Sequence, residues 1–228
     1  MRILGVDSSG MVASVALVED DLLVAEYSVN YKKTHSQTLL PMLDEIVKMT
    51  ELDLNTIDAI AVAAGPGSFT GLRIGAATVK GLGLALEKPV ISVPTCHGLA
   101  YNLWGSDKLI CPIMDARRSQ VYTGIYEFAK DGMQVFLDQS AMDIRALAEK
   151  LNAMGREVIF LGDGCPVYAS VLAECMQCGC MGKPEPVPIR FQGVPNRRCR
   201  SSTGLFLSDR TVVGQPAIQL EEAYRDRL

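Results

Sequence analysis

The order of secondary-structure signals repeats along this chain, and that repeat constrains the fold more than any other feature. Each copy opens with a short apolar run that ends in an aspartate and a tight turn, at residues 2–6 before Asp7 and at residues 109–114 before Asp115. Two runs of alternating apolar and polar residues follow, then a helical pattern, a buried strand and a second helix. The sequence therefore predicts an α/β fold built from two βββαβα repeats.

Periodicity, capping residues and turn residues place the individual elements. The strands are predicted at 2–6, 13–18, 22–30, 57–63, 90–93, 109–114, 121–128, 135–139 and 158–161. The helices are predicted to end at 49, 87, 103, 154 and 176. Either Thr34 or Thr38 caps the first helix, and Pro41 favours Thr38 because the proline then falls in the first turn.

The boundary between the copies is expected near residues 104–108, which gives an N-terminal lobe, 1–106, and a C-terminal lobe, 107–228, with a cleft between them. A chain of 228 residues is long enough for two such lobes. From about residue 182 the composition changes, because prolines and the basic run NRRCR interrupt the regular pattern.

The net charge of the chain and the length of its apolar runs limit the classes of function that it can have. The net charge of −4 and the pI of about 5.3 argue against nucleic-acid binding by this chain alone, because phosphate binding relies on clustered Lys and Arg. An accessory role beside a basic partner stays open. No targeting signal and no run of about eighteen apolar residues is visible, so we expect a cytoplasmic protein without membrane attachment.

Cysteines and histidines give only weak metal-site signals. The run CMQCGC at 175–180 would need Cys199 to complete four zinc ligands, so the polar end of a helix is the favoured interpretation. His97 lacks the second histidine of an H-x-x-x-H pair, since Tyr101 stands at that position. We therefore expect no metal site of the chain's own.

The densest motif is AAGPGSFTGLRIGAATVKGLGLALE at residues 63–87. Gly65 and Gly67 begin like a dinucleotide fingerprint, but the spacing of that motif fails here, as does the spacing of a P-loop. The backbone N–H groups from Ser68 to Thr70 still lie at a helix N-terminus, where an anion could bind. A tight turn closed by a hydroxyl N-cap is an equally open interpretation.

Glycines inside the following helix indicate close packing. Small residues follow i+4 spacing in two lanes, Gly71, Gly75, Val79 and Gly83 in one, and Ala77, Gly81 and Ala85 in the other. Each interior glycine costs roughly 1 kcal/mol relative to alanine, so the close approach of another element should offset the loss. Internal packing and a partner interface are both open explanations.

Several segments, in order, resemble the TsaB (YeaZ) family of tRNA threonylcarbamoyladenosine biosynthesis proteins. They are ILGVDSS with SVAL, HSQTLLPML, AAGPGSFTGLRIG, VISVPTCHGLA and MDARRSQVYTGIY. The segment GPGSFTGLRIG is the specific one, and the resemblance covers roughly residues 1–175. It implies an actin-like (ASKHA, RNase H-like) two-lobe fold, which agrees with the repeat.

The resemblance also implies a function. The chain would be a non-catalytic scaffold and activator of the TsaD transferase, acting with the ATPase TsaE to form N6-threonylcarbamoyladenosine next to the tRNA anticodon. The metal would belong to TsaD, tRNA would be reached indirectly through the complex, and ATP or ADP could bind at the complex interface. No catalytic residue is identified.

Family members form homodimers or TsaB–TsaD heterodimers through a helical bundle. Carried over to this sequence, the bundle residues are His35, Leu39, Leu43, Gly71, Arg73, Gly75, Val79 and Gly83. The candidate nucleotide- or anion-binding residues are Asp7, Ser8, Gly65, Gly67, Ser68, Thr70 and Asp115.

Other functions stay open. An actin-like small-molecule or sugar kinase would bind ATP between the lobes, with Asp7 and Asp115 as paired acids, unless each aspartate caps its own turn. A metallopeptidase-like activity is weaker because His97 is alone. Residues 182–219 depart from the family pattern. Either they form a divergent tail, or the sequence contains a local reading-frame error.

Overall fold

A computed structural model of the chain describes residues 1–20, 22–31, 34–129 and 132–177. Contacts divide the chain into two compact units, and the division falls between Gly98 and Leu99. Each unit contains one sheet and its helices, which confirms the α/β prediction. The lobe boundary after residue 106 stays a prediction. The interpretations of the tail, of Cys178, Cys180 and Cys199, and of the reading frame lie outside the described residues.

The first unit is built around a sheet with the strand order β3-β2-β1-β4-β5. β1 lies in the middle, antiparallel to β2 and parallel to β4. Its elements are β1 (Arg2–Asp7), β2 (Ala13–Glu19), β3 (Leu22–Val29), α1 (His35–Met49), β4 (Ala59–Gly65), α2 (Phe69–Leu86) and β5 (Val90–Pro94), and α3 (Thr95–Tyr101) spans the division.

The second unit repeats this topology with the strand order β8-β7-β6-β9. β6 is antiparallel to β7 and parallel to β9, as β1 is to β2 and β4. The two predicted βββαβα repeats are therefore confirmed. The elements are β6 (Leu109–Arg117), β7 (Gln120–Ala129), β8 (Gly132–Asp143), α4 (Ile144–Met154), β9 (Val158–Leu161) and α5 (Gly164–Cys175).

Of the two predicted caps of α1, the structure has Thr34. The helix begins at His35 with Thr34 in the N-cap position, so Pro41 lies inside it, and the preference for Thr38 is wrong. Proline leaves one helical carbonyl without its backbone donor. Burial of Leu39 and the other core-facing side chains of α1 outweighs that loss, because a buried leucine contributes about 1.5–3 kcal/mol.

An aromatic cluster packs within the second unit. Trp104, the chain's only tryptophan, stacks on Tyr101 with ring centroids 5.9 Å apart. Phe128 tilts against both rings, 4.6 Å from Trp104 and 5.2 Å from Tyr101. Such pairs add about 0.5–1.5 kcal/mol beyond the burial of their area, so the cluster ties the segment after α3 to β7.

The first glycine lane of α2 faces the sheet of its own unit. Gly71, Gly75, Val79 and Gly83 are all buried. A Cβ on Gly71 would lie 2.0 Å from the carbonyl oxygen of Ser8, and one on Gly75 would lie 2.3 Å from the Ser8 Oγ. The close approach that the glycines indicated is therefore made by the turn after β1.

The second lane faces outward. Ala77, Gly81 and Ala85 are exposed, and nothing lies within 4 Å of a Cβ placed on Gly81. The described part of the chain therefore gives no packing reason for a glycine at this position.

We expect Gly71→Ala to lower the free energy of unfolding by about 2 kcal/mol or more, because its Cβ meets backbone that has no free space. Gly81→Ala is the matched control and should raise it by about 1 kcal/mol, the difference in helix propensity. Urea unfolding of both variants measures these changes. Equal effects of the two substitutions would contradict the assignment of the two lanes.

Candidate functional site

The turn after β1 is locked onto the start of α2. Ser8 and Ser9 are buried. The hydroxyl of Ser8 donates to the carbonyl oxygen of Gly71 at 2.8 Å, and the backbone N–H of Ser68 donates to the carbonyl oxygen of Ser9 at 2.6 Å. These buried hydrogen bonds satisfy polar groups that would otherwise destabilise the fold, so the turn and the helix form one structural block.

The Gly-Pro-Gly-Ser loop fits around this turn. Gly65 has a φ of +109°, which glycine adopts without steric cost, and a Cβ on Gly67 would lie 2.3 Å from the Ser9 carbonyl oxygen. Ser68 Oγ accepts a hydrogen bond from the Gly71 N–H at 3.2 Å, so the N-cap interpretation is confirmed.

Anion binding at this helix start stays a prediction, with fewer donors than the sequence suggested. The Ser8 hydroxyl and the Ser68 amide are engaged within the chain. Thr70 is exposed at the start of α2.

Asp7 is half-buried at the end of β1. Its Oδ1 accepts a hydrogen bond from the Ser9 N–H at 2.7 Å. Burial raises the pKa of Asp7 above its ordinary value, although the hydrogen bonds to Ser9 and the charge of His35 act in the opposite direction. The His35 Nε2 lies 2.9 Å from the Gly10 carbonyl oxygen, so α1 also contacts this turn.

Asp115 occupies the corresponding place in the second repeat. Its Oδ1 accepts hydrogen bonds from the Arg117 N–H and the Tyr168 hydroxyl, both at 2.8 Å. Burial raises the pKa of the neighbouring Asp163, and the charge of Asp115 raises it further. Asp7 and Asp115 thus each cap their own turn, as one of the two interpretations held. Their action as a pair around a nucleotide stays a prediction.

The structure places most of the predicted bundle residues inside the first unit. Buried positions are Leu39, Leu43, Gly71, Gly75, Val79 and Gly83. His35 is half-buried and Arg73 is exposed. A residue that is covered by its own chain has little surface to give to a partner, so a contact through these helices would use their outward faces.

Two large apolar residues on the outward face of α2 were missed by the sequence reasoning. Phe69 is 68% exposed and Leu84 is 86% exposed. The guanidinium carbon of Arg73 lies 3.9 Å from the centroid of the Phe69 ring, a cation–π contact. The helical period places Leu84 on the side away from the first glycine lane and Phe69 to one side of it, but the sequence alone does not decide which lane faces inward.

Comparison with known proteins identifies the family. The bacterial protein TsaB of Bacillus subtilis, a tRNA threonylcarbamoyladenosine biosynthesis protein, is 35% identical over 201 residues, covering 85% of this chain and 87% of the relative. The chain belongs to the TsaB family. TsaB of Escherichia coli is 33% identical over 168 residues, covering 72% of each chain. The family model described as TsaD, tRNA N6-adenosine threonylcarbamoyltransferase, matches residues 23–185.

A solved structure supports the same assignment. YeaZ from Pseudomonas aeruginosa aligns with a TM-score of 0.68 and 28% identity, covering 79% of this chain and 82% of that one. The predicted actin-like, RNase H-like fold is thereby confirmed, as are the resemblance to TsaB and the role in threonylcarbamoyladenosine biosynthesis.

No helix among the described residues has the length and hydropathy to cross a membrane. No group of three or more His, Cys, Asp or Glu side chains in that part of the chain could hold a metal ion. The expectation that the metal belongs to TsaD stays a prediction.

We expect Asp7→Asn to stabilise the protein near neutral pH. The folded pKa of Asp7 is raised, so ionisation at neutral pH costs the folded state more than the unfolded state, while the asparagine oxygen can still accept from Ser9. The gain should shrink as the pH falls towards ~4, where Asp7 is protonated.

Urea unfolding across this pH range measures the effect, with Asp107→Asn, an exposed aspartate, as the control. Destabilisation by Asp7→Asn at every pH would contradict the assignment of a half-buried carboxylate whose charge is unfavourable in the folded state.

Proposed function

We propose that this TsaB-family chain is a scaffold and activator of the TsaD transferase, with no chemistry of its own, and that it binds TsaD through the outward faces of α1 and α2. It acts with the ATPase TsaE on the adenosine next to the anticodon, in the cytoplasm. The same faces bind a second copy of this chain when TsaD is absent. The observation that carries the proposal is the exposed lane of α2 around Gly81.

The composition of this face supports a helix-packing contact. A glycine at position 81 has open space above it and lets another backbone approach closely, which would offset its helix cost of about 1 kcal/mol. Leu84, three residues further on, lies beside it as an exposed apolar anchor. Phe69 is exposed at the first turn of α2, where Arg73 stacks on its ring. Interfaces concentrate binding energy in a few such residues.

α1 extends the same surface. It packs beside α2, and its Leu40 is 56% exposed. Exposed apolar residues on two adjacent helices fit a four-helix contact with a partner that offers a similar pair. We also propose that ATP or ADP binds at the interface of the complex and that the metal ion is held by TsaD.

We expect Leu84→Glu and Gly81→Leu each to weaken binding to TsaD by about tenfold or more, since a hot-spot loss of 2 kcal/mol exceeds one factor of ten. Co-purification and reconstituted tRNA modification measure this. Val167→Glu is the control, because Val167 is 54% exposed on α5, which takes the place of α2 in the second repeat. Normal assembly of folded Leu84→Glu would refute the proposed contact.

A kinase is the alternative, favoured by the corresponding positions of Asp7 and Asp115 at the first strand of each repeat. Under the scaffold proposal, the chain alone should not hydrolyse Mg-ATP. ATP hydrolysis by the purified chain that is lost in Asp7→Asn would support the kinase instead.

A further inference from the structure

The turn between β6 and β7 has an unusual backbone. Arg117, Arg118 and Ser119 have φ values of +66°, +54° and +62°. Arg117 pairs with Gln120 across the hairpin, so Arg118 and Ser119 form a two-residue loop. Such loops favour Asn-Gly, because these residues adopt positive φ at little cost. Arginine in this region is strained, so a benefit of the side chains themselves should offset the strain.

Contacts from three directions hold the turn in this conformation. The Asp115 carboxylate accepts from the Arg117 N–H and from the Tyr168 hydroxyl. The same hydroxyl lies 3.2 Å from the Gln120 carbonyl oxygen, and the Ile144 N–H donates to the Ser119 carbonyl oxygen at 3.1 Å. The backbone that carries the two arginines is therefore fixed by its neighbours.

The side chains of Arg117 and Arg118 have no structural role within the described part of the chain. Both arginines are exposed, and among the described residues neither guanidinium group has an ion pair or a hydrogen bond. Arg2 and Arg156 differ, because they pair with Glu19 and Glu127. The strained turn thus presents two adjacent cations to solvent that no described residue pairs with.

We propose that the Arg117–Arg118 turn contacts the phosphate backbone of tRNA directly in the assembled complex. The inference rests on the proposed function, and it replaces the expectation that tRNA is reached only through other subunits. Guanidinium groups pair with phosphate through two parallel hydrogen bonds, and a fixed turn reduces the entropy lost in forming them. RNA is favoured over an acidic protein surface because this family acts in tRNA modification.

The test uses the reconstituted complex of this chain with TsaD and TsaE and an unmodified tRNA transcript. Anisotropy of labelled tRNA gives the dissociation constant at several KCl concentrations. The double variant Arg117→Gln/Arg118→Gln should reduce the slope of log K against log salt by about 1 for each arginine that contacts a phosphate. Lys150→Gln, which removes one exposed charge elsewhere in the second unit, should leave the slope unchanged.

A second variant separates this role from a structural one. Arg118→Asn relieves the strained φ, so it should raise the Tm of the free chain by a few degrees while it weakens tRNA binding. If Arg118 had only a structural role, its replacement would not raise the Tm and weaken tRNA binding at the same time.

Unchanged salt slopes in a complex that still assembles and modifies tRNA would overturn the inference and leave the proposed function intact. Loss of subunit assembly without RNA would also overturn it, because the turn would then bind protein. A chain that never assembles with TsaD would instead refute the proposed function.

Discussion

The contact between the Ser8 turn and the glycine lane of α2 is the interaction on which the rest of the first unit depends. Backbone oxygens and hydroxyls of the turn lie where side chains of α2 would otherwise stand, and hydrogen bonds at 2.8 Å and 2.6 Å join the two elements. Because β1 lies at the centre of the sheet, this contact sets how closely α2 covers it. The outward face of α2, with Leu84, is positioned as a result.

The second repeat also has glycines where its central strand and a helix approach each other closely. A Cβ on Gly162 would lie 2.4 Å from the Ile113 carbonyl oxygen, and one on Gly164 would lie 2.9 Å from it. The turn after the central strand in the first unit, and the central strand itself in the second unit, therefore meet the beginning of a helix without intervening side chains. The shared topology explains why an aspartate at the end of the central strand closes a turn in each repeat.

The sequence was sufficient to predict the repeat and the strands of the two sheets, because periodicity is a local property. It was not sufficient to choose the inward face of α2. That helix is apolar nearly all round, and only the position of the Ser8 turn decides which lane is buried. The preference for Thr38 as the cap of α1 failed for a similar reason. Proline favours the first turn of a helix, but tertiary packing of α1 outweighed this local preference of Pro41.

The cluster of Trp104 with Tyr101 and Phe128 has a practical consequence. The chain has a single indole, and it lies in the second unit. Its emission therefore reports on the melting of that unit, whereas far-ultraviolet circular dichroism follows the helices of both. Differences between the two signals would reveal whether the units unfold together or one after the other, and would locate a destabilising substitution without any added label.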